Sequence, residues 1–148
     1  MTSVERSAFP NRVATRGHPS YVWRAGQERR FQMVRRWVNL PGQRVLDVGC
    51  GVGMDTAVFL RETPHVVGVE VERERALEAR ERAAGVIQAP GERLPFPDST
   101  FDIVFSHEVL EHVADDRACM AEMVRVARRP EAGVPPGAEG RPGGRILV

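Results

Sequence analysis

The chain has 148 residues, of which 42% are hydrophobic and 28% are charged, and its formal net charge is +1. This length and composition are typical of one soluble globular domain, which can bury a core without disulfides or a structural metal. All 21 basic residues are arginine. Chemistry that requires a lysine amine is therefore excluded, including Schiff-base catalysis and the lysine-containing phosphate loop.

The sequence shows no signal for secretion or membrane insertion. Its first ten residues lack the apolar segment of a leader peptide, and no apolar run approaches the roughly 20 residues that span a bilayer. Two isolated cysteines in such a chain are typical of a reducing compartment. We therefore expect a cytoplasmic protein with no membrane partner.

Positive charge is concentrated toward the start of the chain. Residues 1–44 carry nine arginines and two acids, whereas residues 45–122 carry seven arginines and sixteen acids. A basic segment can contact nucleic acid, but the arginines of residues 29–36 recur at spacings typical of a solvent-exposed helix face. The pattern favours a solvated surface over a nucleic-acid partner.

The predicted elements alternate between helices and strands. Residues 1–25 show little periodicity and are interpreted as a flexible arm, and residues 26–148 as the folded domain. In chain order the predicted elements are a helix over 26–39, strands over 44–48 and 66–70 separated by a helix over 55–62, a helix over 72–84, strands over 85–88 and 101–106, a helix from Asp115 or Asp116 to Arg128, and a strand over 145–148.

Two of the predicted helices have apolar residues at helical spacing, which predicts that these residues face the core. In the first helix they are Phe31, Val34, Trp37 and Val38. In the last helix they are Met120, Met123, Val124 and Ala127.

This order of elements predicts an α/β fold with a doubly wound, mostly parallel sheet. Parallel strands are joined by right-handed crossovers, so the helices cover both faces of the sheet. Ligands of such sheets bind beyond the carboxyl ends of the strands, at the point where the strand order reverses. The candidate site therefore lies among the residues that follow each strand.

The turn after the first strand has the pattern of a nucleotide site. Gly49, Gly51 and Gly53 precede a helix, and glycines let backbone amides approach a ligand closely. Glu70 ends the second strand, where a carboxylate can accept both hydroxyls of a ribose. Met54 stands where a dinucleotide fingerprint requires its third glycine, so the turn suits a nucleoside without pyrophosphate better than NAD.

Four stretches resemble the class I S-adenosylmethionine-dependent methyltransferases, in particular their small-molecule type. They are residues 45–53, 66–71, 92–113 and 141–145, in the order that the family has. The resemblance implies a Rossmann-like methyltransferase fold, S-adenosylmethionine as cofactor and a small-molecule methyl acceptor. It identifies no acceptor and no catalytic residue.

The resemblance also implies which residues hold the methionine and ribose ends of the cofactor. Asp47, Gly49 and Gly51 would bracket the methionine end, with Cys50 in the same turn. Glu70 would bind the ribose. Taken alone, Asp47 could instead be a structural acid bonded to its neighbours, and Cys50 a small packing residue.

A second group of residues would meet the adenine and the sulfonium. The resemblance places Val71 on the adenine face, the backbone of Gly91 and Glu92 at the adenine edge, and Ser106 near the sulfonium. Pro90 departs from the family, which usually has an acidic residue there to bind the adenine amino group. Either Glu92 supplies that acceptor or the affinity for the cofactor falls.

Two histidines after the fourth predicted strand allow further interpretations. His107 and His112 resemble a zinc motif, but a spacing of five residues puts them about 140° apart on a helix, so we expect no metal site. His107 could act as a general base on the acceptor. Methyl transfer from a sulfonium often needs only alignment and desolvation, so no catalytic role is assigned to it.

The apolar strand over 145–148 follows a loop predicted over 130–144, which is rich in glycine and proline. Class I methyltransferases continue past this strand with a helix and an antiparallel pair of strands. We therefore expect a sheet without those strands, with an exposed edge. The main alternative function is a fragment that binds S-adenosylmethionine without catalysis, and the weaker alternative is an NAD-binding oxidoreductase domain.

Overall fold

A computed structural model describes residues 21–130 and 143–148 of the chain. The elements alternate as predicted. They are α1 (Tyr21–Trp37), β1 (Val45–Val48), α2 (Met54–Phe59), β2 (Val66–Glu70), α3 (Arg73–Arg80), β3 (Val86–Gln88), β4 (Ile103–Ser106), α4 (Asp116–Val126) and β5 (Arg145–Leu147).

The five strands form one sheet in the order β3-β2-β1-β4-β5, and every neighbouring pair is parallel. The prediction of a doubly wound parallel sheet is confirmed. Because the order runs outward from β1 in both directions, the reversal point lies between β1 and β4. In the register of these strands, Val48 stands opposite Ser106, so β1 and β4 end at one level, and opposite Val69, so β2 extends one residue further to Glu70.

The two faces of the sheet carry separate parts of the core. Leu46 of β1 packs in a cluster with Met123 of α4, whereas Val45 packs in a second cluster with Phe31 of α1 and Phe59 of α2. Successive residues of a strand point to opposite faces, and both faces of β1 are covered. This explains why the strand is buried along its whole length.

Helix α1 differs from its prediction at its start and in one core residue. It begins at Tyr21 rather than Gly26. Phe31 and Val34 are buried as predicted, but Trp37 is 73% exposed, so its assignment to the core is wrong. Trp37 lies about 120° around the helix from Phe31, on the side away from the sheet.

Helix α4 has the predicted start but ends earlier. The side chain of Asp115 accepts a hydrogen bond from the Ala118 amide at 2.9 Å, which caps the helix. Its last residue is Val126 instead of Arg128, because Ala127 is extended and continues toward the sheet.

The inward face of α4 differs from the predicted one at Val124. Met123 and Ala127 are buried, and Met120 packs partly against the same cluster. Val124 is 55% exposed, so its predicted inward position is wrong. It follows Met123 by one residue, a rotation of about 100° that turns it to solvent.

Each observed strand lies within its predicted range, whereas α2 and α3 are shorter than predicted. The helix predicted over 55–62 ends at Phe59, and the buried Thr63 hydroxyl then donates to the Gln43 carbonyl at 2.8 Å, which fixes the return to the sheet. The helix predicted over 72–84 ends at Arg80.

Some predictions concern residues outside the described part of the chain. Residues 1–20 of the predicted arm lie there, as do residues 131–142 of the loop predicted over 130–144. Within the described ranges, no helix has the length and apolar character of a membrane span.

Candidate functional site

A cavity of about 570 Å³ opens beyond the carboxyl ends of β1, β2 and β3, and the segment that follows β4 lines it as well. It lies where the doubly wound topology predicts a ligand site. Five of the predicted cofactor residues line it, namely Gly49, Glu70, Val71, Gly91 and Glu92. The structure thus brings together residues from the ends of three strands.

The glycine turn after β1 has a backbone that requires glycine. Gly49, Gly51 and Gly53 have φ angles of 70°, 55° and 80°, a region that side chains disfavour. A Cβ on Gly49 would lie 2.3 Å from Cγ2 of Val109, so the turn also allows the segment after β4 to pack against it. A Cβ on Gly51 would meet nothing within 4 Å, which leaves open space beside this residue.

Glu70 is held rigidly at the cavity wall. Its side chain is 6% exposed, and its Oε2 accepts a hydrogen bond from the Gly51 amide at 2.8 Å. Its Oε1 accepts from the Glu72 amide at 2.9 Å. A carboxylate has about four acceptor positions, so one remains on each oxygen for a vicinal diol. Glu70 can therefore fix the glycine turn and bind a ribose at the same time.

Asp47 lies beneath the turn and does not line the cavity. It is 2% exposed and accepts a hydrogen bond from the Thr56 hydroxyl at 2.6 Å, which connects β1 to α2. Burial is the largest cause that raises the pKa of this carboxyl to about 7, against which the Thr56 hydrogen bond acts. Asp47 thus connects the two elements that flank the turn, and its contact with a methionine end stays a prediction.

Cys50 and Ser106 also lie outside the cavity lining. Cys50 packs with the alanines of α3, and burial raises the pKa of its thiol. Ser106 is buried at the end of β4, and its hydroxyl has no hydrogen-bond partner within the described residues. Buried hydroxyls are normally paired, so Ser106 is a candidate to bind a ligand group or an ordered water.

The segment after β3 forms another wall of the cavity. A Cβ on Gly91 would lie 2.8 Å from the Cys119 sulfur, so glycine lets this segment pack closely on α4. Glu92 Oε1 accepts a hydrogen bond from the Ala114 amide at 3.0 Å and so joins two walls. Pro90 lines the cavity without a side-chain acceptor, and Val71 presents an exposed apolar side chain.

An ion-pair network that the sequence did not reveal holds this wall in place. The Leu94 amide donates to Glu122 at 2.7 Å, and Arg125 donates to the carbonyls of Leu94 and Phe96 and to Asp98. The hydrogen bond from Arg125 is the largest cause that lowers the pKa of Glu122. In the sequence, the network is indicated only by Glu122 and Arg125, an acid and an arginine three residues apart on a predicted helix.

His107 lies beside the cavity rather than in its lining. Its ring stacks on Phe105 with centroids 6.4 Å apart, and its Nε2 lies 3.9 Å from Oε1 of Glu108. Over the described residues, no group of three His, Cys, Asp or Glu side chains has the geometry to hold a metal ion.

Comparison with known proteins decides the family. The model of a family described as "Methyltransferase domain" matches residues 46–130, more than half of the chain. The chain belongs to this methyltransferase-domain family. The resemblance read from the sequence is therefore confirmed, and the match covers the glycine turn, Glu70 and the other cavity walls.

Individual relatives agree with this assignment. An uncharacterized methyltransferase of Schizosaccharomyces pombe is 38% identical over 57% of this chain and 36% of its own length. The ubiquinone/menaquinone biosynthesis C-methyltransferase UbiE of Vibrio vulnificus is 36% identical over 73% of this chain and 41% of its own length. The chain thus spans about two fifths of the length of these relatives.

A solved structure supports the fold. The YcgJ protein of Bacillus subtilis superposes with a TM-score of 0.61 at 28% identity, over 67% of this chain and 45% of that one. The Rossmann-like fold of this family is therefore the fold of the described chain.

Proposed function

We propose that the chain binds S-adenosylmethionine in the cavity at the ends of β1, β2 and β3 and supports methyl transfer to a small-molecule acceptor. The observation that carries the proposal is the buried carboxylate of Glu70. It is fixed by the Gly51 and Glu72 amides at the wall of a cavity that begins at the glycine turn. Membership of the methyltransferase-domain family supports this ligand over NAD.

The residues of the cavity fit the cofactor at three points. Glu70 would accept the ribose hydroxyls, and the exposed side chain of Val71 would pack on the adenine. The open space beside Gly51 admits a ligand close to the backbone of the turn. The adenine amino group fits less well, because Pro90 has no side-chain acceptor, which leaves Glu92 to bind it with the acceptor positions that the Ala114 amide does not use.

When bound, the cofactor supplies an electrophilic methyl group on a sulfonium. This chain's residues then bind and orient: Glu70 fixes the ribose, and the glycine turn fixes the neighbouring part of the ligand. Glu122 and Arg125 fix the chain at Leu94, which continues from the cavity wall at Gly91 and Glu92. Orientation and a dry site supply much of the acceleration in such a displacement.

Two experiments test the proposal. Calorimetry with S-adenosylmethionine and, separately, with NAD should show binding of the first ligand only. Incubation with methyl-labelled S-adenosylmethionine and a small-molecule metabolite extract should then label a product. Binding without labelling would indicate the non-catalytic alternative, and NAD binding alone would indicate the oxidoreductase alternative. Binding of neither ligand would contradict the cofactor assignment.

A further inference from the structure

We propose that Glu108 gives the cavity a preference for the cationic methyl donor over its neutral product, S-adenosylhomocysteine. This inference rests on the proposed function and adds a specificity-determining residue to it. The sulfonium carries a positive charge that is absent from the thioether of the product, whereas the adenosine and amino-acid groups of the two molecules are the same. A negative side chain near the sulfur can therefore distinguish them.

The cavity lining has an excess of negative charge. Four glutamates line it and are opposed by one arginine, Arg75. Three of the four have defined partners: Glu70 accepts two backbone amides, Glu92 accepts the Ala114 amide, and Glu72 forms an ion pair with Arg75 at 3.0 Å. Glu108 is the fourth. Its only ion pair among the described residues is the 3.9 Å contact with His107, so its charge is the least compensated.

Packing holds Glu108 beside the glycine turn. It follows β4 by two residues and has a φ angle of 54°, which a glutamate adopts only at a cost. The next residue, Val109, occupies the space that a Cβ on Gly49 would need, since its Cγ2 would lie 2.3 Å from that Cβ. The contact between Val109 and Gly49 therefore fixes the turn that carries Glu108.

This position places Glu108 near the expected sulfur. The sulfur of the cofactor is bonded to the carbon that extends from the ribose, and the ribose would lie at Glu70. From there the ligand runs along the glycine turn, against which Val109 packs. The side chain of Glu108 is 74% exposed, so solvent and salt screen its charge in part. We therefore expect a moderate effect of Glu108 on the affinity for the cationic ligand.

The experiment compares two ligands on matched variants. Dissociation constants for S-adenosylmethionine and S-adenosylhomocysteine are measured by calorimetry on the wild-type chain, Glu108→Gln and Glu111→Gln, at low and at physiological ionic strength. Glu111 is an exposed glutamate three residues along the chain, and it does not line the cavity. Glu108→Asn is a second variant, because asparagine tolerates the left-handed backbone.

We expect Glu108→Gln and Glu108→Asn to weaken S-adenosylmethionine binding by about threefold to tenfold at low salt. Binding of S-adenosylhomocysteine should change by about twofold or less, and the difference should shrink as salt is added. Glu111→Gln should leave both constants unchanged. An unchanged ratio of the two constants in folded Glu108 variants would overturn the role of Glu108 alone. Failure of the wild-type chain to bind either ligand would overturn the proposed function itself.

Discussion

Glu70 makes two structural contacts, with the Gly51 and Glu72 amides, and the proposed function gives the same carboxylate a ligand contact. Removing it in Glu70→Ala leaves the Gly51 and Glu72 amides without their acceptor, which lowers the free energy of unfolding by ~1–3 kcal/mol. It should also weaken S-adenosylmethionine binding by ~1.5–3 kcal/mol, because two ribose hydroxyls lose a charged acceptor. Calorimetry checks the binding, and urea denaturation checks the stability.

The exposed Glu81 at the end of α3 provides the control for this change, since Glu81→Ala removes the same charge away from the cavity. That variant should bind as tightly as the wild-type chain. If folded Glu70→Ala keeps the wild-type dissociation constant, Glu70 does not bind the ribose.

At the proposed adenine end of the cavity, Pro90 has no side-chain acceptor and Glu92 shares its carboxylate with the Ala114 amide. Pro90→Asp should therefore tighten S-adenosylmethionine binding by about 1 kcal/mol. The same change in a Glu92→Ala background shows whether the two side chains share the adenine, since shared contacts give non-additive effects. A neutral or weakened affinity in Pro90→Asp alone would mean that the adenine amino group is already satisfied.

Asp47 makes stability depend on pH in the direction opposite to that of an ion-paired acid. Its pKa is raised to about 7 in the folded chain, from a reference value of 3.8. Between these values the folded state binds more protons than the unfolded state, so stability falls as pH rises from about 4 to about 7 and changes no further above that. The total loss from this group is on the order of a few kcal/mol.

Asp47→Asn tests this, because asparagine is uncharged and has nearly the same shape. Urea denaturation at pH 5 and pH 8 should show a smaller loss of stability toward pH 8 in the variant than in the wild-type chain. The comparison between the two proteins cancels the other titrating groups. A parallel pH dependence in both would show that Asp47 is ionised throughout this range.

At the scale of elements, α4 positions a cavity wall through Arg125. This side chain bonds to Leu94, Phe96 and Asp98, so Arg125→Ala should lower the free energy of unfolding by ~2–3 kcal/mol. It should also weaken S-adenosylmethionine binding, since the wall loses its support. Arg129→Ala is the control: Arg129 is an exposed arginine whose 3.9 Å contact with Asp98 should contribute about 0.5 kcal/mol or less. Equal losses in the two variants would contradict the role of Arg125.

The sequence predicted the strands better than the helices for a physical reason. Strands such as Val45–Val48 and Val66–Glu70 are short apolar runs bounded by turns, so their limits are visible in the sequence. The chain after α2 is fixed by a long-range contact instead. The hydrogen bond from Thr63 to the Gln43 carbonyl joins residues 20 positions apart and leaves no local signal.

In the candidate site too, features with a local sequence signal were predictable, and features that depend on packing between distant segments were not. The positions of Gly49 and Glu70 in the cavity lining were predictable, because each has a chemical reason at a fixed place in the pattern. The sequence could not show that Asp47 bonds to Thr56, because that contact depends on how α2 packs on β1. Nor could it show the left-handed backbone of Glu108, which depends on the packing of the adjacent Val109 on Gly49.

At the scale of the whole molecule, the position of a strand in the sheet should determine its local stability. Strand β1 is central, buried on both faces and paired on both sides. Strand β5 is a three-residue edge strand that pairs only with β4 in the described sheet, and none of its residues is fully buried. Local opening of an edge strand exposes little apolar surface, so it costs much less free energy than opening the centre.

Hydrogen exchange measures this difference directly. Amides of β1 should exchange only through global unfolding, whereas those of β5 should exchange through local opening and therefore orders of magnitude faster. An exposed edge also promotes pairing between molecules, so protection of β5 should rise with protein concentration if chains associate there. Equal protection of β1 and β5 at a concentration where the protein is monomeric would contradict this ranking. It would mean that β5 opens only together with the central strands, in one cooperative unit.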